Sequence, residues 1–141
     1  MKLNSIMSKI DLKKYVEFVD TTTSQPSKQY SSFLSRLKEL EEQGFPTERL
    51  LTAAVGMSAE SGEFTEIVKK IVFQGKPVNQ ENLFHLKREL GDIMWYVSQA
   101  CLGLDISLEE VIQMNFEKLS ARYPEGAFSI ERSENRVEGD L

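Results

Sequence analysis

The chain has 141 residues, which is enough for one domain with its own core and too few for two independent domains. Its formal charge of −5 at pH 7 argues against a nucleic-acid polymer or an anionic membrane as the main partner, because both bind to basic surfaces. The single cysteine, Cys101, excludes an intramolecular disulfide, and the absence of an apolar leader or of a membrane-length apolar run predicts a soluble, cytoplasmic protein.

The N-terminal part of the chain is predicted to form two helices. Residues 10–19 have helical apolar spacing and lead into a Thr- and Ser-rich stretch that disfavours helix, so residues 1–26 are expected to hold one short helix and a loop. From Ser27 onward, apolar residues recur with the spacing of an amphipathic helix. This predicts a first long helix, which Gly44 and Pro46 terminate.

Three further long helices follow, and each has a recognisable start. Thr47 is the predicted N-cap of the second long helix, Asn79 of the third and Ser107 of the fourth, where Ser107 and Glu110 form a capping box. The predicted ends are Gly75 after Gln74, Gly103 after Leu102, and Pro124 after Tyr123.

The C-terminal residues, 125–141, hold five acids against two arginines and are expected to be mobile or to depend on a partner for their structure. No stretch shows β-strand alternation or a glycine-rich phosphate loop. The predicted fold is therefore all-α: a four-helix bundle over residues 27–124, with an additional short N-terminal helix in residues 1–26 and a polar C-terminal tail over residues 125–141.

Two pairs of acids lie at the edges of the apolar stripes on the second and third long helices. Glu60 with Glu63, and Glu89 with Asp92, are spaced i,i+3, so the members of each pair share one side of a helix. Carboxylates near a bundle interior are costly unless they are paired or bind a cation, and all-oxygen ligation favours Mg²⁺, with Mn²⁺ as a substitute. The alternative is a solvated face whose glutamates pair with lysines.

A polar face on the fourth long helix supplies candidate phosphate ligands. Asn115, Lys118 and Arg122 are spaced i, i+3 and i+7, so they share a face. In an antiparallel bundle this face is expected to approach the acids, where Lys and Arg would bind the oxygens of a metal-bound polyphosphate. The alternative is that the two cations form exposed ion pairs that stabilise the end of the helix.

Aromatic residues and glycines near the acids allow two interpretations. Trp95 and Tyr96 can stack on a nucleobase, but aromatic residues at helical spacing more often belong to a core.

Gly62 and Gly91 are predicted to lie inside helices, where an absent side chain would let a backbone, a metal or a phosphate approach closely. An ordinary packing contact explains a single glycine equally well.

The stretches Glu60-Ser-Gly-Glu63, Glu89-Leu-Gly-Asp92 and Asn115 to Pro124 together resemble the MazG-type all-α nucleoside triphosphate pyrophosphohydrolases, over about residues 47–128. That family often doubles the acid at the start of each motif, whereas Ala59 and Arg88 stand in those places here. The resemblance implies a Mg²⁺-dependent enzyme that hydrolyses a (d)NTP to (d)NMP and pyrophosphate. It also implies a helical bundle that assembles into dimers or tetramers.

The chemistry of phosphoryl transfer gives each candidate residue a role that is consistent with the resemblance. Mg²⁺ would be held by Glu60, Glu63, Glu89 and Asp92, with Glu63 or Glu66 as the general base. The phosphates would be bound by Asn115, Lys118, Arg122 and, from the loop after the second long helix, Lys76. Two other functions stay open: a phosphoribosyl-ATP pyrophosphohydrolase of the same superfamily, and a non-enzymatic helical interaction module.

Apolar residues of the N-terminal helices exceed what a small monomer buries on one side, so a homo-oligomer is expected, and the resemblance implies that it is a homodimer or homotetramer. The residues concerned are Leu3, Ile6, Ile10, Tyr15, Tyr30, Phe33, Leu37 and Leu40.

Overall fold

The computed structural model describes residues 10–135, and these residues form helices and no strand. The predicted all-α class is thereby confirmed, while the number of helices in the bundle stays a prediction. The helices are α1 (Leu12–Thr22), α2 (Gln25–Lys28), α3 (Tyr30–Glu42), α4 (Thr47–Gln74), α5 (Gln80–Leu104), α6 (Leu108–Arg122) and α7 (Ile130–Glu134). No helix in this described range is long and apolar enough to cross a bilayer. Leu3, Ile6 and the tail from residue 136 onward lie outside the described residues.

The helices fall into two compact units, which divide between Phe45 and Pro46. The first unit holds α1, α2 and α3, and the second holds α4 to α7. The domain limits that the sequence suggested, after residues 26 and 124, stay predictions.

In the first unit, the helix predicted to begin at Ser27 is divided into α2 and α3. Gln29 has extended backbone angles, with φ −123° and ψ 123°, so α2 ends before it and α3 begins at Tyr30. The prediction of one continuous helix is therefore wrong at its start. The Lys28 ammonium donates a hydrogen bond to the carbonyl oxygen of Asp20 and lies 3.6 Å from the Asp20 carboxylate. These contacts connect the end of α2 to the last turns of α1.

The second unit is built on an antiparallel hairpin of α4 and α5. The two helices approach closely where Gly56 faces the ring of Tyr96, because a Cβ added at Gly56 would lie 2.1 Å from Tyr96 Cε1. At the end of the hairpin that lies far from its turn, Nη1 of Arg49 donates a hydrogen bond to Oε1 of Gln99 at 2.8 Å. The buried residues of the described range are Ala53, Gly56, Asn82 and Cys101, all in this hairpin.

The turn between the two helices contains two of the predicted caps. Gly75 ends α4 in the left-handed region, at φ 70°. Asn79 caps α5, since its side chain accepts a hydrogen bond from the N–H of Asn82 at 2.9 Å. The buried Asn82 side chain donates in turn to the carbonyl oxygen of Pro77 at 2.7 Å, so the turn is fixed to the first turn of α5.

Two helix ends differ from the prediction. Thr47 is the first residue of α4, and Pro46 takes the N-cap position. α5 continues through Gly103 to Leu104, and Asp105 ends it in the left-handed region at φ 54°. Asp is one of the few residues other than Gly that adopt this conformation routinely, so the helix does not need Gly103 as its terminator.

The C-terminal part of the chain begins as predicted. Ser107 Oγ accepts from the N–H of Glu110 at 3.0 Å, which caps α6. Residues 125–135 contain α7 and an ion pair of 3.4 Å between Arg132 and Glu125, while the mobility of the C-terminal tail stays a prediction.

The α4–α5 hairpin has two unlike flanks. At about 100° per residue, helical spacing places the paired acids of both helices on one flank, which we call the acid flank. The opposite flank, which we call the apolar flank, exposes the side chains of Val68, Val72, Leu83, Leu90 and Met94. Within residues 10–135, α6 packs extensively against neither α4 nor α5.

Candidate functional site

The hairpin brings acids from its two helices together. Glu60 and Glu63 on α4 meet Glu89 on α5, with carboxylate oxygens of all three within 4.8 Å of one another. The i,i+3 spacing puts the first two on one side of α4, and the antiparallel packing brings that side to α5. We call these three residues the acid cluster.

Asp92 borders the acid cluster. It follows Glu89 by three residues on α5, and its negative charge contributes to the raised pKa of Glu60. Its oxygens are not among those that lie within 4.8 Å of one another. Of the four acids that the sequence indicated as metal ligands, the structure therefore joins three and places the fourth at their edge.

The acid cluster concentrates negative charge. Partial burial, followed by the charges of Glu63, Asp92 and Glu89, raises the pKa of Glu60 above its ordinary value of 4.5, and a hydrogen bond with Glu89 adds to the shift. Glu60 and Glu89 are half-buried, whereas Glu63 is exposed. Such an arrangement favours a cation, because a bound cation removes the repulsion between the carboxylates.

The acid cluster fits a divalent cation in both ligand type and size. Its donors are carboxylate oxygens, the ligands that Mg²⁺ and Mn²⁺ prefer. Oxygens on opposite sides of a bound Mg²⁺ are about 4.2 Å apart, given a metal–oxygen distance of about 2.1 Å. The oxygens of the cluster lie within 4.8 Å, so side-chain adjustments of less than about 1 Å would close the cluster around the ion.

Glu66, a predicted general base, lies one turn beyond Glu63 and outside the acid cluster. Lys70 pairs with it at 3.0 Å, and this hydrogen bond and charge lower the pKa of Glu66, with smaller contributions from Lys69 and Lys76. Glu66 therefore stays ionised to lower pH than a free glutamate and is a weaker proton acceptor. Lys76, a predicted phosphate ligand, lies near Glu66, because its charge contributes to this lowering of the pKa.

The other predicted phosphate ligands lie on α6. Asn115 is exposed, and Lys118 and Arg122 are half-buried. Because α6 packs extensively against neither helix of the hairpin in the described part of the chain, the structure does not show these side chains beside the acid cluster. Their phosphate-binding role stays a prediction.

The two aromatic residues of the predicted base pocket have different surroundings. Tyr96 is half-buried against Gly56, so its ring helps to pack the hairpin. Trp95 is 54% exposed, and its ring meets that of Tyr96 edge-on, with centroids 4.9 Å apart. The indole is therefore accessible to a planar ligand, and base binding stays a prediction for both residues.

The packing of α4 against α5 requires a glycine at position 56, and not at positions 62 and 91, where the acid motifs contain glycines. A Cβ added at Gly62 or Gly91 would meet no atom within 4 Å among the described residues. The close approach occurs at Gly56, which the sequence analysis missed. The available signal was a glycine inside a helix, one turn before Glu60, at a position where glycine costs about 1 kcal/mol relative to alanine.

Two comparisons with known proteins each match more than half of the chain. It is 42% identical over 80 residues to the Gene 37 protein of Mycobacterium phage L5, an alignment that spans 56% of this chain and 70% of that protein. No solved structure gives a significant match. Residues 48–127 match the MazG nucleotide pyrophosphohydrolase domain, and both acid pairs and the polar face of α6 lie inside this range. Because this match covers more than half of the residues, the chain belongs to the MazG nucleotide pyrophosphohydrolase family.

Proposed function

We propose that the chain is a Mg²⁺-dependent nucleoside triphosphate diphosphatase, which cleaves a (d)NTP between the α- and β-phosphates to give (d)NMP and pyrophosphate. The observation that carries the proposal is the acid cluster, in which three carboxylates from two helices lie within 4.8 Å in a chain of the MazG family. A solvated face would keep its like charges apart, because bringing them together without a cation costs free energy.

The position of each acid suggests its role in the proposed site. Glu60 and Glu89 are half-buried at the seam between α4 and α5 and would hold the ion from the hairpin side. Glu63, at the exposed edge, and Asp92, one turn along α5, would complete the ligand set. When bound, Mg²⁺ neutralises charge on the phosphate oxygens and lowers the pKa of a water molecule, and Mn²⁺ is a chemically suitable substitute.

Two glutamates are candidates for accepting a proton from the attacking water. Glu66 is held by Lys70, and its lowered pKa weakens it as a base. Glu63 has no lysine within ion-pair distance among the described residues and belongs to the acid cluster itself. We therefore propose Glu63 ahead of Glu66 for this role.

The leaving pyrophosphate needs cationic partners, which the acid cluster does not provide. Lys118 and Arg122 on α6, with Lys76 from the turn, remain our candidates, and Asn115 would orient the phosphates through the hydrogen bonds of its neutral amide. We also propose that the chain forms a homodimer or homotetramer, since the hairpin exposes an apolar flank. In such an assembly, α6 of one copy can approach the hairpin of another.

The proposed reaction is tested with the eight (d)NTPs and separate detection of pyrophosphate and orthophosphate, in Mg²⁺ and in EDTA. We expect pyrophosphate as the primary product and no turnover in EDTA. Orthophosphate as the primary product would contradict attack at the α-phosphorus. Phosphoribosyl-ATP, tested in parallel, separates the related pyrophosphohydrolase function from this one.

A Mg²⁺ titration without nucleotide separates the enzyme from a non-enzymatic helical module. A ligand that binds only the folded chain stabilises it, so we expect saturable binding and a rise in melting temperature. Neither effect is expected from a solvated acidic face.

A further inference from the structure

The acid flank also carries an arginine that none of the roles above uses. Arg88 directly precedes Glu89 and lies four residues before Asp92 on α5, so its side chain and that of Asp92 are neighbours one turn apart. At about 100° per residue, Arg88 lies roughly 70° around the helix from the midpoint of these two acids. Its neighbour Lys87 lies roughly 170° away from that midpoint, on the other side of α5.

The guanidinium of Arg88 is exposed and has no ion-pair partner within residues 10–135. This contrasts with Lys70, which is committed to Glu66 at 3.0 Å. A guanidinium has five N–H donors in a planar fork and always carries its charge. Arg88 is therefore a cation at the border of the acid cluster whose donors are available to a ligand.

We infer that Arg88 binds the β- or γ-phosphate of the triphosphate whose α-phosphate lies at the acid cluster. The inference rests on the proposed function. A triphosphate carries more negative charge than one divalent cation neutralises, and paired phosphate oxygens match the donor fork of arginine. Arg88 is on the same helix as Glu89 and Asp92, so a ligand at the acid cluster meets it without any rearrangement of α6.

A cation in this position acts in opposite directions on the two ligands. Its charge repels Mg²⁺ in the protein without nucleotide and attracts the triphosphate once the metal is bound. Loss of Arg88 should therefore weaken nucleotide binding without weakening Mg²⁺ binding. A merely structural role predicts that both would weaken together, along with the melting temperature.

The experiment compares the full-length wild type with Arg88→Ala, Arg88→Lys and the matched control Lys87→Ala. The measurements are kcat and KM for the (d)NTP with the highest turnover, with pyrophosphate detection, and calorimetric binding of Mg²⁺ alone. For Arg88→Ala we expect kcat/KM to fall about 10- to 100-fold, mainly through KM, as for a lost charge-assisted hydrogen bond. Mg²⁺ affinity should stay equal or increase about two-fold, since the charges are largely screened by solvent.

The variants make the outcome specific to the guanidinium. Arg88→Lys keeps the charge but not the fork, so it should recover part of the loss, and Lys87→Ala should behave as the wild type. An Arg88→Ala protein within two-fold of the wild type would overturn the inference and leave the proposed function standing. An equal loss in Lys87→Ala would also overturn it, because the effect would then be one of general charge. A wild type that releases no pyrophosphate from any of the eight substrates would remove the proposed function and this inference with it.

Discussion

Single carboxylates decide whether the acid cluster is a metal site or a solvated surface. Glu63→Gln keeps side-chain size while removing a charge that the cation needs, so turnover should fall by at least about 10²-fold, as when a key electrostatic group is lost. The melting temperature in EDTA should not fall, since one of several repelling charges is removed. Turnover against Mg²⁺ concentration and thermal melts in EDTA measure the two effects.

The control for that variant is Glu48→Gln, which neutralises a glutamate in the first turn of α4, away from the acid cluster. We expect its turnover and its Mg²⁺ response to match those of the wild type. Unchanged turnover in a folded Glu63→Gln protein would instead mean that the acid cluster is not the active site.

The raised pKa of Glu60 gives a pH dependence of known sign. In the absence of metal, the folded protein binds a proton at Glu60 more tightly than the unfolded chain, so this residue lowers stability at neutral pH. The penalty is removed as pH falls through the raised pKa towards the ordinary value of 4.5. Glu60→Gln should therefore melt above the wild type in EDTA at pH 7, and the difference should shrink on acidification. A difference that is constant with pH would contradict the assigned shift.

At the scale of helices, the packing of α4 on α5 depends on one position without a side chain. Gly56→Ala would place a Cβ 2.1 Å from Tyr96 Cε1, and the resulting displacement of the ring should lower the free energy of unfolding by about 1–3 kcal/mol. The matched control is Gly62→Ala in the same helix, where an added Cβ has open space. That change should raise stability by up to about 1 kcal/mol through helix propensity. Urea unfolding in EDTA measures both, and effects of the same sign would be incompatible with the close contact.

The sequence predicts those parts of the helices that local chemistry decides. Asn79 and Ser107 cap α5 and α6, and Gly75 ends α4, because each cap is built within a few residues of chain. The acid pairs were predictable for a similar reason. Their spacing and their place beside an apolar stripe are visible in the sequence, and hairpin packing then brings them together.

Features that depend on a second helix were not predictable in this way. The need for Gly56 arises only from the register that puts Tyr96 opposite it. The extended backbone at Gln29 lies in a polar stretch just before Tyr30, where no apolar residue indicates at which position the long helix begins. The approach of α6 to the acids was expected from a bundle within one chain, and the described residues do not show it. Helical periodicity shows which face of a helix is apolar, but it does not show which other helix packs against that face.

For the whole molecule, the apolar flank leads to a prediction about assembly. Its five side chains are exposed in the single chain, and a patch shared by two helices is typical of an interface. Light scattering at micromolar concentration should give at least twice the 16.1 kDa of one chain. Leu90→Lys, which introduces a charge into the middle of this flank, should lower that mass, whereas Leu90→Met should not. A wild-type mass of one chain would contradict the homo-oligomer.

Because both halves of the acid cluster lie on one hairpin closed by residues 75–79, the cluster forms as soon as the hairpin does. A short loop costs little entropy to close, and contacts close in sequence favour rapid folding. We expect the hairpin to be formed in the transition state for folding, so that the repulsion between the carboxylates slows folding and also lowers the stability of the folded chain. We expect Mg²⁺ to accelerate refolding from urea relative to EDTA, and stopped-flow fluorescence of Trp95, the chain's single tryptophan, provides the signal.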